Sequence, residues 1–134
     1  MTGLEIGVLC LALNVYYEAR SEPPEAQYAV AYVTLNRSRY KRRTLCEEVY
    51  SPYQFSWTNS IVAYDEIPKP SDPAWIQAQD IARKSLNTPD ITGGALWYHR
   101  YDITPWWTWN KKRVAKFGAH VFYKCKKGYR CSWK

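Results

Sequence analysis

The residue type and spacing that could do chemistry come together at Glu18. In the stretch Leu11-Ala-Leu-Asn-Val-Tyr-Tyr-Glu-Ala-Arg20 this carboxylate closes a long apolar run. Leu4, Val8, Leu11 and Val15 recur at helical spacing, while Ile6, Leu9, Cys10, Leu13 and Tyr17 cover most of the remaining surface. A helix apolar nearly all round is a buried one. Glu18 falls on the Leu11/Asn14/Val15 face, in the last turn before the break at Ser21-Glu-Pro-Pro24. A helix C-terminus carries partial negative charge, and burial beside Val15 disfavours an ionised carboxyl further. Both effects raise the pKa, which is what a general acid working near neutral pH needs. The plainer alternative is a surface pair with Arg20.

Glu22, four residues on, offers a second carboxylate or a first-turn dipole and capping role. The only histidines, His99 and His120, would need a third partner to hold zinc, and no spacing supplies one. Hydrogen bonding within a sheet is the commoner use of strand histidines. The segment Tyr53-Gln-Phe-Ser-Trp57 sets flat rings beside amide and hydroxyl groups, a combination suited to a sugar face and its hydroxyl rim or to a loop packed on the core.

The elements that must position these groups follow from caps and periods. The first helix spans Leu4 to Ala19. Ser21 as N-cap and Pro23-Pro24 open a second, running to about Arg39 with Ala26, Ala29, Val30 and Val33 inward. A short helix covers Leu45 to Val49, and residues 58–72 read as a loop. Asp72-Pro73 starts a further helix ending near Asn87. Beyond Gly93-Gly94 the period becomes that of strands: Ala95 to Arg100, Val114 to Phe117 and Ala119 to Lys124, with Gly118-Ala119 as a tight hairpin turn. Thr104-Pro-Trp-Trp-Thr-Trp109 packs three tryptophans into a connection, as a binding lip or a hydrophobic latch.

The ordered blocks resemble the cell-wall hydrolases of the spore cortex-lytic (SleB) type. They are Leu13 to Pro23 with Glu18, Gln27 to Arg37, Thr44 to Tyr50, Tyr53 to Trp57, Trp97-Tyr-His99 and Phe117 to Tyr123. The resemblance spans residues 4–124. It implies cleavage of peptidoglycan glycan strands between N-acetylmuramic acid and N-acetylglucosamine, with Glu18 as the acid. The implied chemistry is that of a lytic transglycosylase, which manages with one glutamate. A two-carboxylate muramidase is the alternative, although Glu22, Asp65, Glu66 and Asp102 lie in no marked position. The blocks also nominate Gln27, Gln54, Phe55, Ser56, Trp57, Tyr98, His99, His120 and Tyr123 as substrate-binding residues, with Arg37 orienting the glutamate. No metal and no cofactor is expected. The implied fold is a lysozyme-like α+β domain over residues 1–134, a helical part plus a small antiparallel sheet.

Charge is uneven. Residues 1–110 carry ten basic and twelve acidic side chains, whereas residues 111–134 carry nine basic ones and no acid, so the net charge of +7 arises in the tail. Such a tail concentrates polyanions, here an anionic wall or membrane surface. A nucleic-acid-binding module and a zinc amidase are the rival readings, but neither accounts for blocks lying outside the tail, and no nucleic acid is expected as partner. No run is long enough for a transmembrane segment. The N-terminus lacks the basic start and small-residue cleavage site of a leader. The expectation is a monomeric phage lysis enzyme, held in the host bacterial cytoplasm until released to the cell wall; a bacterial cell-wall enzyme expressed without its leader reads the same way. Cys10 reads as a small core residue and Cys46 as a packing one, whereas Cys125 and Cys131 bracket a turn that a disulfide could close.

Overall fold

The computed structural model describes residues 3–51, 55–59, 67–129 and 131. Helix α1 (Gly3–Ala19) is the centre of the helical part, and it packs on α2 (Pro24–Lys41), α3 (Leu45–Val49) and α4 (Pro73–Ser85). Leu11, Ala12, Leu13 and Val15 are fully or almost fully buried, as the encircling apolar pattern requires. Asn14 is buried among them and is satisfied. Its Nδ2 donates to Thr34 Oγ1 at 3.1 Å, and its Oδ1 accepts from Trp57 Nε1 at 2.8 Å.

The caps set the boundaries. Pro23, not Ser21, is the N-cap of α2, with proline at the first helical positions and no side-chain cap bond. A proline in the first turn removes one of the donors a cap would otherwise satisfy. The helix runs past Arg39 to Lys41, where Arg42 takes the left-handed conformation (φ 55°) and Arg43 N–H returns to Ser38 O, a Schellman closure made without glycine. Thr44 and Glu47 form a capping box on α3. Asp72 caps α4 through Ala74 N–H. Its carboxylate also accepts from Tyr16 Oη at 2.6 Å, so one aspartate starts α4 and ties it to α1.

Three strands, β1 (Trp97–Arg100), β2 (Lys111–Phe117) and β3 (His120–Cys125), form an antiparallel sheet in the order β1-β3-β2. Asp90 holds the approach to β1: it accepts from Thr92 and Gly94 N–H and from Asn36 Nδ2 of α2, while Asn36 also donates to Ala95 O. At the far end of the sheet the two-residue turn Gly118-Ala119 needs a positive φ at its first position, and Gly118 has φ 56°. The tryptophan-rich connection forms a short 3-10 helix, Trp106–Asn110. No helix among the described residues is long and apolar enough to cross a membrane.

Two disulfides are present. Cys125–Cys131 closes the terminal turn as its sequence spacing allows. Cys10–Cys46 corrects the reading of both as packing residues: it fastens α1 to α3 across 36 residues. A helical spacing that puts Cys10 on an apolar face says nothing about what approaches that face from α3.

Candidate active site

Glu18 is the penultimate residue of α1, partly buried where that helix meets β1. Tyr98 of β1 donates its hydroxyl to Glu18 Oε1 at 2.6 Å. Burial pushes the Glu18 carboxyl up from the ordinary glutamate range; the Tyr98 hydrogen bond and the Arg37 guanidinium pull it back, without cancelling the rise. The Tyr98 phenol is itself held well above its usual range by burial and by the adjoining carboxylate, so it stays a neutral donor. With Oε1 taken by Tyr98, Oε2 is the oxygen left to carry a transferable proton.

Arg37 is fixed from behind. Glu48 is wholly buried, and it sits 3.1 Å from both Arg37 Nε and Lys41 Nζ. Burying a carboxylate is costly unless it is paired, and here two cations one helical turn apart on α2 pair with it. The guanidinium lies over the Phe55 ring at 5.0 Å. Sequence reasoning does not reach this cluster. The only signal is Arg37 and Lys41 at helical spacing, and nothing in the sequence says that Glu48 meets them.

The structure brings only part of the expected set to Glu18. Tyr98 packs edge-on against His120 (5.3 Å, 89°) and lies tilted on Phe122, so these three share one face of the sheet. Burial holds the His120 imidazole below its usual range, and Glu22, 3.5 Å from Nδ1, works in the opposite direction. Strand alternation sends their neighbours to the other face. There His99 bonds Tyr123 Oη through Nε2 at 2.8 Å and stacks on its ring, and Trp107 meets both edge-on. Lys111 is buried beneath, 4.4 Å from the Trp97 ring. His99 and Tyr123 are therefore remote in direction from Glu18.

Gln27 and Phe55, each 2% exposed, present no surface to a ligand; Gln27 instead holds the α1–α2 connection through Glu22 O. Trp57 is buried too, stacked on the half-buried Tyr17 at 4.7 Å. Ser56 belongs to a 3-10 turn over Ser56–Asn59, and Gln54 lies outside the described residues. Of the other acids, Glu22 Oε1 accepts from Ala119 N–H at 2.5 Å, and Asp102 pairs with Arg100 at the surface. Asp65 and Glu66 lie outside the described residues. Among the described residues no other carboxylate perturbs Glu18.

Residues 21–123 match the Cell Wall Hydrolase family. This chain belongs to that family. The spore cortex-lytic enzyme of Oceanobacillus iheyensis is 35% identical over 121 residues, covering 85% of this chain and 40% of that protein. That of Bacillus cereus is 33% identical over 121 residues, covering 85% and 42%. The chain thus spans about two fifths of these curated relatives' lengths. Among solved structures, the catalytic domain of the germination-specific lytic transglycosylase SleB from Bacillus anthracis superposes with a TM-score of 0.72 at 30% identity. It covers 88% of this chain and 93% of that one. The SleB catalytic domain of Bacillus cereus gives 0.71 at 30% identity, covering 88% and 90%. The helical part and three-stranded sheet are thus the lysozyme-like α+β fold of cell wall hydrolases of the SleB type. The family match begins at Ser21, three residues beyond Glu18, and ends before the Cys125–Cys131 loop.

Proposed function

We infer that this cell wall hydrolase cleaves peptidoglycan glycan strands between N-acetylmuramic acid and N-acetylglucosamine, as a lytic transglycosylase with Glu18 as its one catalytic acid. The observation that carries the reading is Glu18 itself: a carboxyl raised by burial, oriented on one oxygen by Tyr98, with no second carboxylate against it among the described residues. Protonated Oε2 gives its proton to the bridging glycosidic oxygen as the bond to the muramic acid anomeric carbon breaks. The carboxylate left behind takes the proton of the same sugar's 6-hydroxyl, whose oxygen closes on the anomeric carbon. The proton count balances, a 1,6-anhydro ring forms, and no water is consumed. The 6-hydroxyl is held by the bound sugar at high effective concentration, so it outcompetes a water that no residue activates.

Two disulfides fit an oxidising space outside the membrane, where the wall lies, whatever route takes the chain there. Mass spectrometry of digested sacculi tests the chemistry. The expected products end in 1,6-anhydro-muramic acid, one water lighter than reducing ends. Mainly reducing ends, abolished by Glu22→Gln or Asp102→Asn, would establish two-carboxylate hydrolysis instead.

A further inference from the structure

A cavity of about 560 Å³ opens where the end of α2 meets the Cys125–Cys131 loop. Tyr40, Leu96, Trp97 and Tyr129 line it together with the disulfide. Its volume falls in the range of small-molecule sites. Tyr40 is 66% exposed and Tyr129 51%, and Trp109, 64% exposed, meets the Tyr129 ring edge-on at 6.1 Å. Two exposed tyrosine rings lining one hollow, with the exposed Trp109 against one of them, are more apolar surface than a solvated loop needs. The rim is cationic: Lys126 lies 5.8 Å over the Tyr129 ring with its ammonium on Trp109 O, and Lys127 is exposed beside it. No acidic residue occurs from 111 onward.

The cavity lies on the Trp97 side of the sheet, away from Glu18, and shares two elements with the Glu18 site. Tyr40 is three residues beyond Arg37 on α2, and Trp97 precedes Tyr98 in β1 while facing the opposite way. The loop that completes it lies beyond the residues matched to the family, 21–123.

We propose that this cavity is a glycan subsite, which stacks a pyranose ring of the anionic wall strand between Tyr40 and Tyr129 and receives the strand's carboxylates on Lys126 and Lys127. The inference rests on the peptidoglycan reading above. Flat phenol rings match a sugar's apolar face and hydroxyl rim, and the cations match lactyl and peptide carboxylates. The strand is then held at two places, and the second contact acts through effective concentration.

The test uses the full chain carrying Glu18→Gln, so that the substrate survives, and purified sacculi stripped of phosphate polymers as the probe. Co-sedimentation should show Tyr40→Ala with Tyr129→Ala weakening binding about tenfold or more. Tyr40→Phe with Tyr129→Phe, which keeps the rings, should bind like its parent. In the Glu18 background the Ala pair should lose more activity on sacculi than on short soluble glycan fragments. Both tyrosines are surface-exposed, and matching melting curves establish that the variants fold. Equal binding by the Ala pair and its parent would overturn the subsite. So would equal losses on long and short substrates, or displacement by a single-stranded oligonucleotide at lower concentration than by soluble glycan. Failure of the Glu18 protein to cleave sacculi would count against the proposed function; cleavage with unchanged binding by the Ala pair counts against the subsite alone.

Discussion

In the proposed reaction Glu18 carries the transferable proton, and the Tyr98 hydroxyl, bonded to Oε1, leaves Oε2 as the oxygen to hold it. Glu18→Gln keeps the shape and removes the proton, so sacculus cleavage should fall about a hundredfold or more. Activity within a few-fold of the parent would remove Glu18 as the acid. The same substitution has a stability signature. A carboxyl whose folded pKa is raised is fully tolerated below its unfolded value of about 4.3, and that tolerance is lost as pH rises through the folded value. The Glu18→Gln chain should therefore equal or exceed its parent in urea midpoint at pH 7, with the advantage gone by about pH 4. A variant less stable at pH 7 than at pH 4, relative to its parent, would contradict a buried, raised carboxyl. Tyr98→Phe removes a hydrogen bond that favours the ionised form, so it raises the Glu18 pKa further. A general acid works while protonated, so the alkaline limb of the pH–rate profile should move to higher pH as turnover falls. A limb moving to lower pH would refute this.

At the level of elements, the contact between the α1–α2 connection and the β2–β3 turn is close enough to test by coupling. A Cβ on Gly118 would stand 2.6 Å from Glu22 Oε1, 3.0 Å from Pro23 Cδ and 3.1 Å from Ala26 Cβ, at a φ that L-residues avoid. Gly118→Ala should cost about 2–4 kcal/mol, from strain and a broken charge-assisted bond to Ala119 N–H. In a Glu22→Ala background it should cost clearly less, because the nearest clash and that bond are already gone. Additive losses in a double-mutant cycle would show that the two residues do not meet. The helices were legible because Thr44, Glu47, Asp72 and the prolines act locally, and the hairpin because Gly118 does. Arg37–Glu48 and Cys10–Cys46 were not, since each joins separate elements and local patterns carry no word of it. In the chain-entropy picture the 36-residue disulfide loop is worth about 3–4 kcal/mol, so a large constraint on the helical part left no local trace. His99 and Tyr123 are a different case. Motif reading placed them with Tyr98 and His120, although adjacent residues of a strand must face opposite ways.

Over the whole molecule, charge and chemistry are apportioned differently along the chain. The proposed acid sits in the first part, residues 1–110, whose charge is −2, while residues 111–134 carry +9. Encounter with an anionic wall should therefore weaken steeply with salt, and replacing the exposed Lys112 and Arg113 together with Lys124 by Ser should flatten that dependence. An unchanged salt slope in sacculus binding would mean the tail's charge plays no part in the encounter. Strand β1 adds a constraint of another kind. Its four residues turn Tyr98 toward Glu18 and His99 and Trp97 away from it. A substitution there changes one contact, whereas one inserted or deleted residue before Trp97 would exchange the two faces together. In a mutagenesis library, one-residue insertions or deletions between Asp90 and Trp97 should therefore survive less often than substitutions at most positions within that stretch.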